Sequence, residues 1–122
     1  MIESALVMLV YAVLMAGIME LGVVGFAVNA VSFAAHRAAR YAAVRGTASA
    51  SPATAAQIAA SATGYAAPLG SAALTVAVTW TPNNNPGSMV QVKVSYHFAP
   101  TFLPIDSRVL TIQTTACEII AQ

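Results

Sequence analysis

The chain has 122 residues, of which 58% are hydrophobic and only 7% charged, with a net charge of +1. A soluble globular domain normally carries about 25% charged residues, so much of this surface is expected to lie against lipid or other protein. The near-neutral balance gives no footing for a nucleic-acid partner, and a single cysteine, Cys117, rules out a disulfide within the chain.

Residues 1–46 contain no proline. They run from an almost wholly apolar start, MIESALVMLVYAVLMAGIM, through Glu20 and a second apolar stretch to the basic segment HRAARYAAVRG. The pattern predicts one helix over about Ile2 to Val44. Gly46 is the expected terminator, with Arg40 and Arg45 in the last turns, where cations complement the helix dipole. The segment would be roughly 68 Å long at 1.5 Å per residue, about twice the ~30 Å hydrocarbon core of a bilayer. It is too long to be only an anchor and too apolar at its start to be an ordinary soluble helix. Residues 1–28 therefore read as a membrane or filament-core helix, and 29–122 as a head into which the helix continues to about 45.

A secretory signal would begin with basic residues and end at a small-residue cleavage site. Here Glu3 stands where the basic residues would be, and the apolar run passes smoothly into more helix. The segment is expected to be retained, with a basic leader upstream or already removed. Small residues recur at spacing four, at Ala12/Ala16, Ala34/Ala38, Ala35/Ala39 and Ala39/Ala43, which lets neighbouring helices approach closely. The plainer reading is that alanine is a good helix former. Gly17, Gly22 and Gly25 each weaken a helix by roughly 1 kcal/mol relative to alanine, and mark places for close packing or bending.

The stretch TASASPAT follows as a loop. Ser51 is the expected N-cap and Pro52 the first residue of a short helix over about 53–62, ending near Gly64. YAAPLGS is a connector. At Leu74 the hydrophobic period changes from 3.6 to 2. Strands are predicted over about 73–80, 89–99 and 108–120. Leu74, Val76, Val78 and Trp80 share one face of the first. Val90, Val92, Val94, Tyr96 and Phe98 share one face of the second, with Gln91, Lys93, Ser95 and His97 on the other. TPNNNPGS between them is a hairpin loop. In the third strand Leu110 and Ile112 share a face, and the alternation loses phase near Ala116, as a bulge or the strand's end would cause. Three strands with one apolar face need a partner. The second half of the long helix is the only segment with enough apolar surface. The expected fold is α+β and pilin-like: a long N-terminal helix packed on a small three-stranded antiparallel sheet, with one extra short helix.

The candidate functional residues are few. Glu3 adjoins an apolar run, where a carboxylate costs a few kcal/mol to bury in lipid. It is tolerable if a neighbouring subunit's N-terminal amine reaches it, or if it simply sits in water at the interface. Glu20 poses the same question deeper in the helix, unless the lipid-spanning part ends there. Arg37, Arg40 and Arg45, with His36, form a basic cluster beyond the apolar segment. The positive-inside rule alone would hold that end in the cytoplasm unless a more basic leader precedes it. The plainer alternative is a solvated helix end. Neither His36 nor His97 has a second ligand at metal spacing, and His97 is expected to be exposed. Cys117 is expected to be a buried or half-buried small residue, with an intermolecular disulfide as the alternative. No nucleophile, phosphate-loop or paired-carboxylate motif is present, so neither an enzyme nor a cofactor is expected.

The run IESALVMLV resembles the V-E-F-A-L-V segment of TadE-like pseudopilins, from the tight-adherence (Flp) branch of type IV pilus machinery. AARYAAVRG, residues 38–46, is similar to the family's second signature. Val92, Val94, Tyr96, Phe98 and Pro100 match its V-x-V-x-Y-x-F strand followed by proline. Glu3 matches the glutamate that follows the family's cleavage site, and Ser4 stands where the family has phenylalanine. The resemblance implies processing by a prepilin peptidase and residence in a bacterial inner membrane. It further implies contact with the pilus assembly platform, and polymerisation with itself or other pilins into an extracellular or periplasmic filament. Glu3 and Glu20 would then serve assembly, and Ala12, Ala16, Gly17, Gly22 and Gly25 helix packing. A reading of another class is a monomeric, single-pass, membrane-anchored accessory protein that presents its sheet to a partner.

Overall fold

A computed structural model describes residues 1–100 and 110–121. It shows the α+β arrangement. A 42-residue helix, α1 (Ile2–Ala43), is followed by a short helix, α2 (Ala55–Tyr65), and two single 3-10 turns, Ala67–Leu69 and Ser71–Ala73. Three strands complete it: β1 (Leu74–Thr81), β2 (Met89–His97) and β3 (Thr111–Ile119). The strands form one antiparallel sheet in the order β1-β2-β3.

Sequence periodicity explains the packing. On α1, residues at three- and four-residue spacing lie on one face. Ala27, Val31, Ala34, Ala35, Ala38, Ala39 and Ala42 are all buried. On β2, every second residue points inward, and Val90, Val92 and Val94 are fully buried while Gln91 and Lys93 are exposed. Ile112, Ala116 and Ile120 extend the same layer, and Ile58 and Ala62 of α2 close one side. The packed part of α1 starts below the compositional boundary at 28, because Ala27 and Glu20 are buried and Val24 packs on the core. β1 packs on α2 rather than on α1, and its inner row, Leu74, Val76, Val78 and Trp80, is only half-buried.

Several expectations are corrected. α2 is capped by Thr54, not Ser51. The Thr54 hydroxyl accepts the Gln57 N–H, and the Gln57 side-chain oxygen accepts the Thr54 N–H in return. The sequence signal was T-x-x-Q, a capping box. Pro52 therefore lies outside α2 and Gly64 lies inside it. α1 ends at Ala43, with Val44 in a right-handed cap. The last turn is closed by the Arg45 N–H donating to the Ala42 carbonyl at 3.1 Å, without a left-handed glycine.

β3 has neither a bulge nor an early end at Ala116, since its register with β2 is unbroken from Met89↔Ile119 to His97↔Thr111. The inward row is Ile112, Thr114, Ala116 and Glu118. Thr114 breaks the apolar pattern because its hydroxyl meets the Ser32 hydroxyl of α1 at 3.2 Å. Leu110 is exposed rather than a core partner of Ile112, and the predicted strand start at 108 lies outside the described residues.

The ends of the elements are tied together. The Ala121 N–H donates to the Ala43 carbonyl at 2.9 Å, and the Ile120 N–H to the Ser88 carbonyl at 2.8 Å. The Gly87 N–H reaches the Ile120 carbonyl at 2.9 Å. Gly87 adopts a φ of 86° there, a conformation costly for any residue with a Cβ. Thr47 anchors the hairpin loop by donating from its backbone and hydroxyl to the Asn84 carbonyl, and from its hydroxyl to Asn85 Oδ1.

Buried and exposed isoleucines should separate in a denaturation experiment. Ile58→Ala removes a fully buried side chain and is expected to destabilise the head by about 2–5 kcal/mol. Ile119→Ala, at a residue 69% exposed, should stay within about 0.5 kcal/mol of the parent. Urea unfolding of the detergent-solubilised chain measures both. Equal losses would contradict the packing described.

Candidate functional site

The candidate functional surface is α1 itself. Helical geometry divides it into two faces. One holds Glu20, Ala27, Val31, Ala34 and Ala38, all buried. The opposite face carries Gly22, Phe26, Asn29 and Phe33, then His36, Arg37 and Arg40, all exposed. Below the head both faces are bare. Leu6, Val7, Leu9, Leu14, Ile18 and Leu21 are all exposed, Leu21 at 73%. α1 is long and apolar enough to cross a membrane.

The expected small-residue contacts fall into two groups. Ala35, Ala38, Ala39 and Ala43 lie in the core this chain forms with its own sheet and short helix, and Ala34 is buried as well. They are not available to a neighbouring helix. Ala12 and Gly22 are exposed, Gly25 likewise, and Ala16 and Gly17 are half-exposed. A Cβ added at Gly17, Gly22 or Gly25 would meet no atom within 4 Å. These glycines are therefore not required by packing within the subunit.

The two acids of α1 have separate surroundings. Glu3 lies in the exposed first turn, beside a shallow depression formed with Ser4, Val7 and Met8. Glu20 is 6% exposed and is engaged within the fold. Its carboxylate belongs to the subunit's own packing rather than to bare helix in lipid.

The basic cluster is arranged on aromatic rings. The Arg37 guanidinium lies over Phe33, 5.2 Å from its centroid. Phe33 in turn meets Tyr65 of α2 edge-on at 5.9 Å. Arg45 lies over Tyr41 at 4.6 Å and donates to its hydroxyl at 3.0 Å. Cation–ring contacts of this kind hold the planar guanidinium while leaving its N–H edge available. Phe33, His36, Arg37, Arg40 and Glu118 line a groove of about 330 Å³. Sequence reading missed Glu118 as part of this cluster, because it sits some eighty residues away and its place depends on the register of β3. It also missed Phe33 and Tyr65 as supports. The spacing Phe33–Arg37 and Tyr41–Arg45, four residues apart, was the available signal.

Elsewhere the outer sheet face is polar. His97, exposed as expected, places Nδ1 3.3 Å from the Thr111 hydroxyl. Cys117 is exposed on that face, not buried, because the register of β3 turns its parity outward opposite Gln91. Among the described residues no group of three His, Cys, Asp or Glu side chains gathers that could hold a metal ion. Comparison with known proteins returns no family model, curated protein or solved structure that matches the chain.

The position of Cys117 has a direct check. In detergent-dispersed native protein a maleimide should label one thiol per chain without denaturant, at the rate of an exposed thiol. Labelling that appears only on unfolding would show that β3 carries the opposite parity.

Proposed function

We propose that this chain is a structural pilin-class subunit. It is held in the inner membrane before assembly and polymerised through α1 into a type IV-like filament of the tight-adherence kind. Its partners in this reading are copies of itself or other pilins, with a prepilin peptidase and an assembly platform acting on it first. The resemblance of IESALVMLV, AARYAAVRG and the V-x-V-x-Y-x-F strand supports the family.

One observation carries the reading. The apolar surface of α1 is longer than a membrane can cover. Ile2 to Glu20 already measures about 28 Å at 1.5 Å per residue, close to the ~30 Å hydrocarbon core. Beyond it, alongside the folded head, Phe26 is 54% and Phe33 49% exposed, and Leu21 and Val28 are exposed as well. Contiguous apolar surface outside lipid marks a protein contact. A lone anchored protein has no use for it, whereas a bundle of parallel helices covers it throughout.

Phe26→Glu tests this without touching the core. The variant should insert in the membrane and unfold within about 0.5 kcal/mol of the parent, yet form few or no filaments. Electron microscopy of surface filaments, with subunits identified by mass spectrometry, supplies the readout. A wild-type chain that stays monomeric in the membrane under these conditions would reject the filament and favour the single-pass accessory presenting its sheet.

A further inference from the structure

Two hollows meet at Arg37 and Arg40. The larger, about 330 Å³, is completed by Phe33, His36 and Glu118. The smaller, about 190 Å³, is completed by Tyr41, Val44 and Tyr65. Both arginines are exposed, and neither makes an ion pair among the described residues. Arg37 is held over the Phe33 ring, itself braced by Tyr65, so one guanidinium is set in place before anything binds. Two guanidinium groups three residues apart share one side of a helix and suit a phosphate, which accepts hydrogen bonds from both. Glu118 adds an acceptor to this rim of donors. The groove therefore fits a phosphate that carries hydroxyl groups better than a bare anion.

The surface beside the groove identifies the ligand. The outward face of α1 leads to the arginines through Gly22, Phe26, Asn29 and Phe33, with no charge among them. Gly22 to Phe33 rises about 17 Å, close to the ~15 Å of hydrocarbon in one leaflet of a ~30 Å core. A phosphate site at the end of an apolar strip of leaflet length matches the two parts of a phospholipid. α1 is also long and apolar enough to cross a membrane, and basic side chains beside a membrane surface select anionic lipids. From the membrane-held stage of the reading above, on which this step rests, we infer that the groove takes the headgroup of an anionic phospholipid. Its phosphate sits on Arg37 and Arg40, its hydroxyl groups donate to Glu118, and its acyl chains lie along Phe33 and Phe26. An upright helix would hold Arg37 about 25 Å above Glu20. A leaning one brings it down: the length from Leu6 to Phe33, about 40 Å, fits a ~30 Å core at a tilt of about 40°. The outward strip then rests in lipid with the head above it, until neighbouring helices replace the lipid on assembly.

The test uses the full unassembled chain, so it is decided separately from filament formation. The chain is released from detergent in the presence of equal amounts of phosphatidylglycerol, phosphatidylethanolamine and phosphatidylcholine. Native mass spectrometry should then show phosphatidylglycerol retained in preference to the other lipids. Arg37→Gln with Arg40→Gln should lower that preference about tenfold or more, as the loss of two cations beside anionic lipid implies, with the urea midpoint of the head unchanged. In bilayers of phosphatidylcholine and phosphatidylglycerol, a spin label at Phe26→Cys in a Cys117→Ser background should sit in hydrocarbon, reached by oxygen and not by a water-soluble nickel chelate. Equal retention of the three lipids, or a preference that survives the double variant, would overturn the site. Displacement of the lipid by an equal concentration of glycerol phosphate would give the groove to a soluble phosphate and overturn it too. A label exposed to water would reject the leaning pose that brings the groove to the headgroups, and the site with it. Chains that pair in the native spectrum and carry no lipid would give the groove to a second copy instead.

Discussion

The alanine face of α1 against the valine row of β2 is the contact on which the rest of the structure depends. Ala27, Ala35, Ala38, Ala39 and Ala42 present little more than backbone, so Val90, Val92 and Val94 can seat directly on the helix. Core packing tolerates no voids of methyl size without cost. A larger residue at Ala35 or Ala38 would lift the sheet off α1, and with it Thr114 from Ser32 and the chain end from Ala43. The same seam fixes the rotation of the helix. Once Ala35 and Ala38 face the sheet, Phe33, Arg37 and Arg40 must face away from it. The outward apolar face and the placement of the basic groove thus follow from which side is alanine.

That division gives a single helix two kinds of apolar surface. The side toward the sheet is satisfied within the subunit, and each methyl there is accounted for by a neighbour. The other side, and the whole circumference below Glu20, is left bare. The two surfaces differ in side-chain size. Small residues line the inward seam, where a flat sheet must come close. Valine, leucine and methionine dominate the bare surface, with Phe26 and Phe33 beside the head. Glycines 17, 22 and 25 occur only in the bare half, and nothing inside the subunit presses on them.

Most of the fold was legible because its signals were local. The unbroken apolar run predicts α1 to within one residue of its end. The alternation of VQVKVSYHF assigns both faces of β2, and the turn residues of TPNNNPGS locate the hairpin. What escaped depended on partners distant in sequence. Thr114 points inward because a serine of α1 waits for it, which no window around β3 reveals. The same register turns Cys117 outward, against its usual preference, and carries Glu118 to the arginines. Spacing four among the alanines does not say what lies opposite: Ala35, Ala38, Ala39 and Ala43 pack within the subunit, while Ala12 is exposed and Ala16 half-exposed. The cap of α2 was a local error. Pro52 drew attention to Ser51, while the reciprocal pair Thr54 and Gln57 stood three residues further on.

The tie between Ala121 and Ala43 has a mechanical consequence. The seam between α1 and the sheet runs parallel to the helix axis, from Ala27 to Ala42. A pull along that axis therefore slides helix past sheet instead of prising them apart, and the whole row of methyl contacts resists at once. The hydrogen bond at the far end, with Ile120 clipped to Ser88 beside it, keeps the last strand from peeling away first. The head behaves as a lap joint clamped at its tip. Tension on the bare half of the helix is spread over many weak contacts rather than concentrated on one.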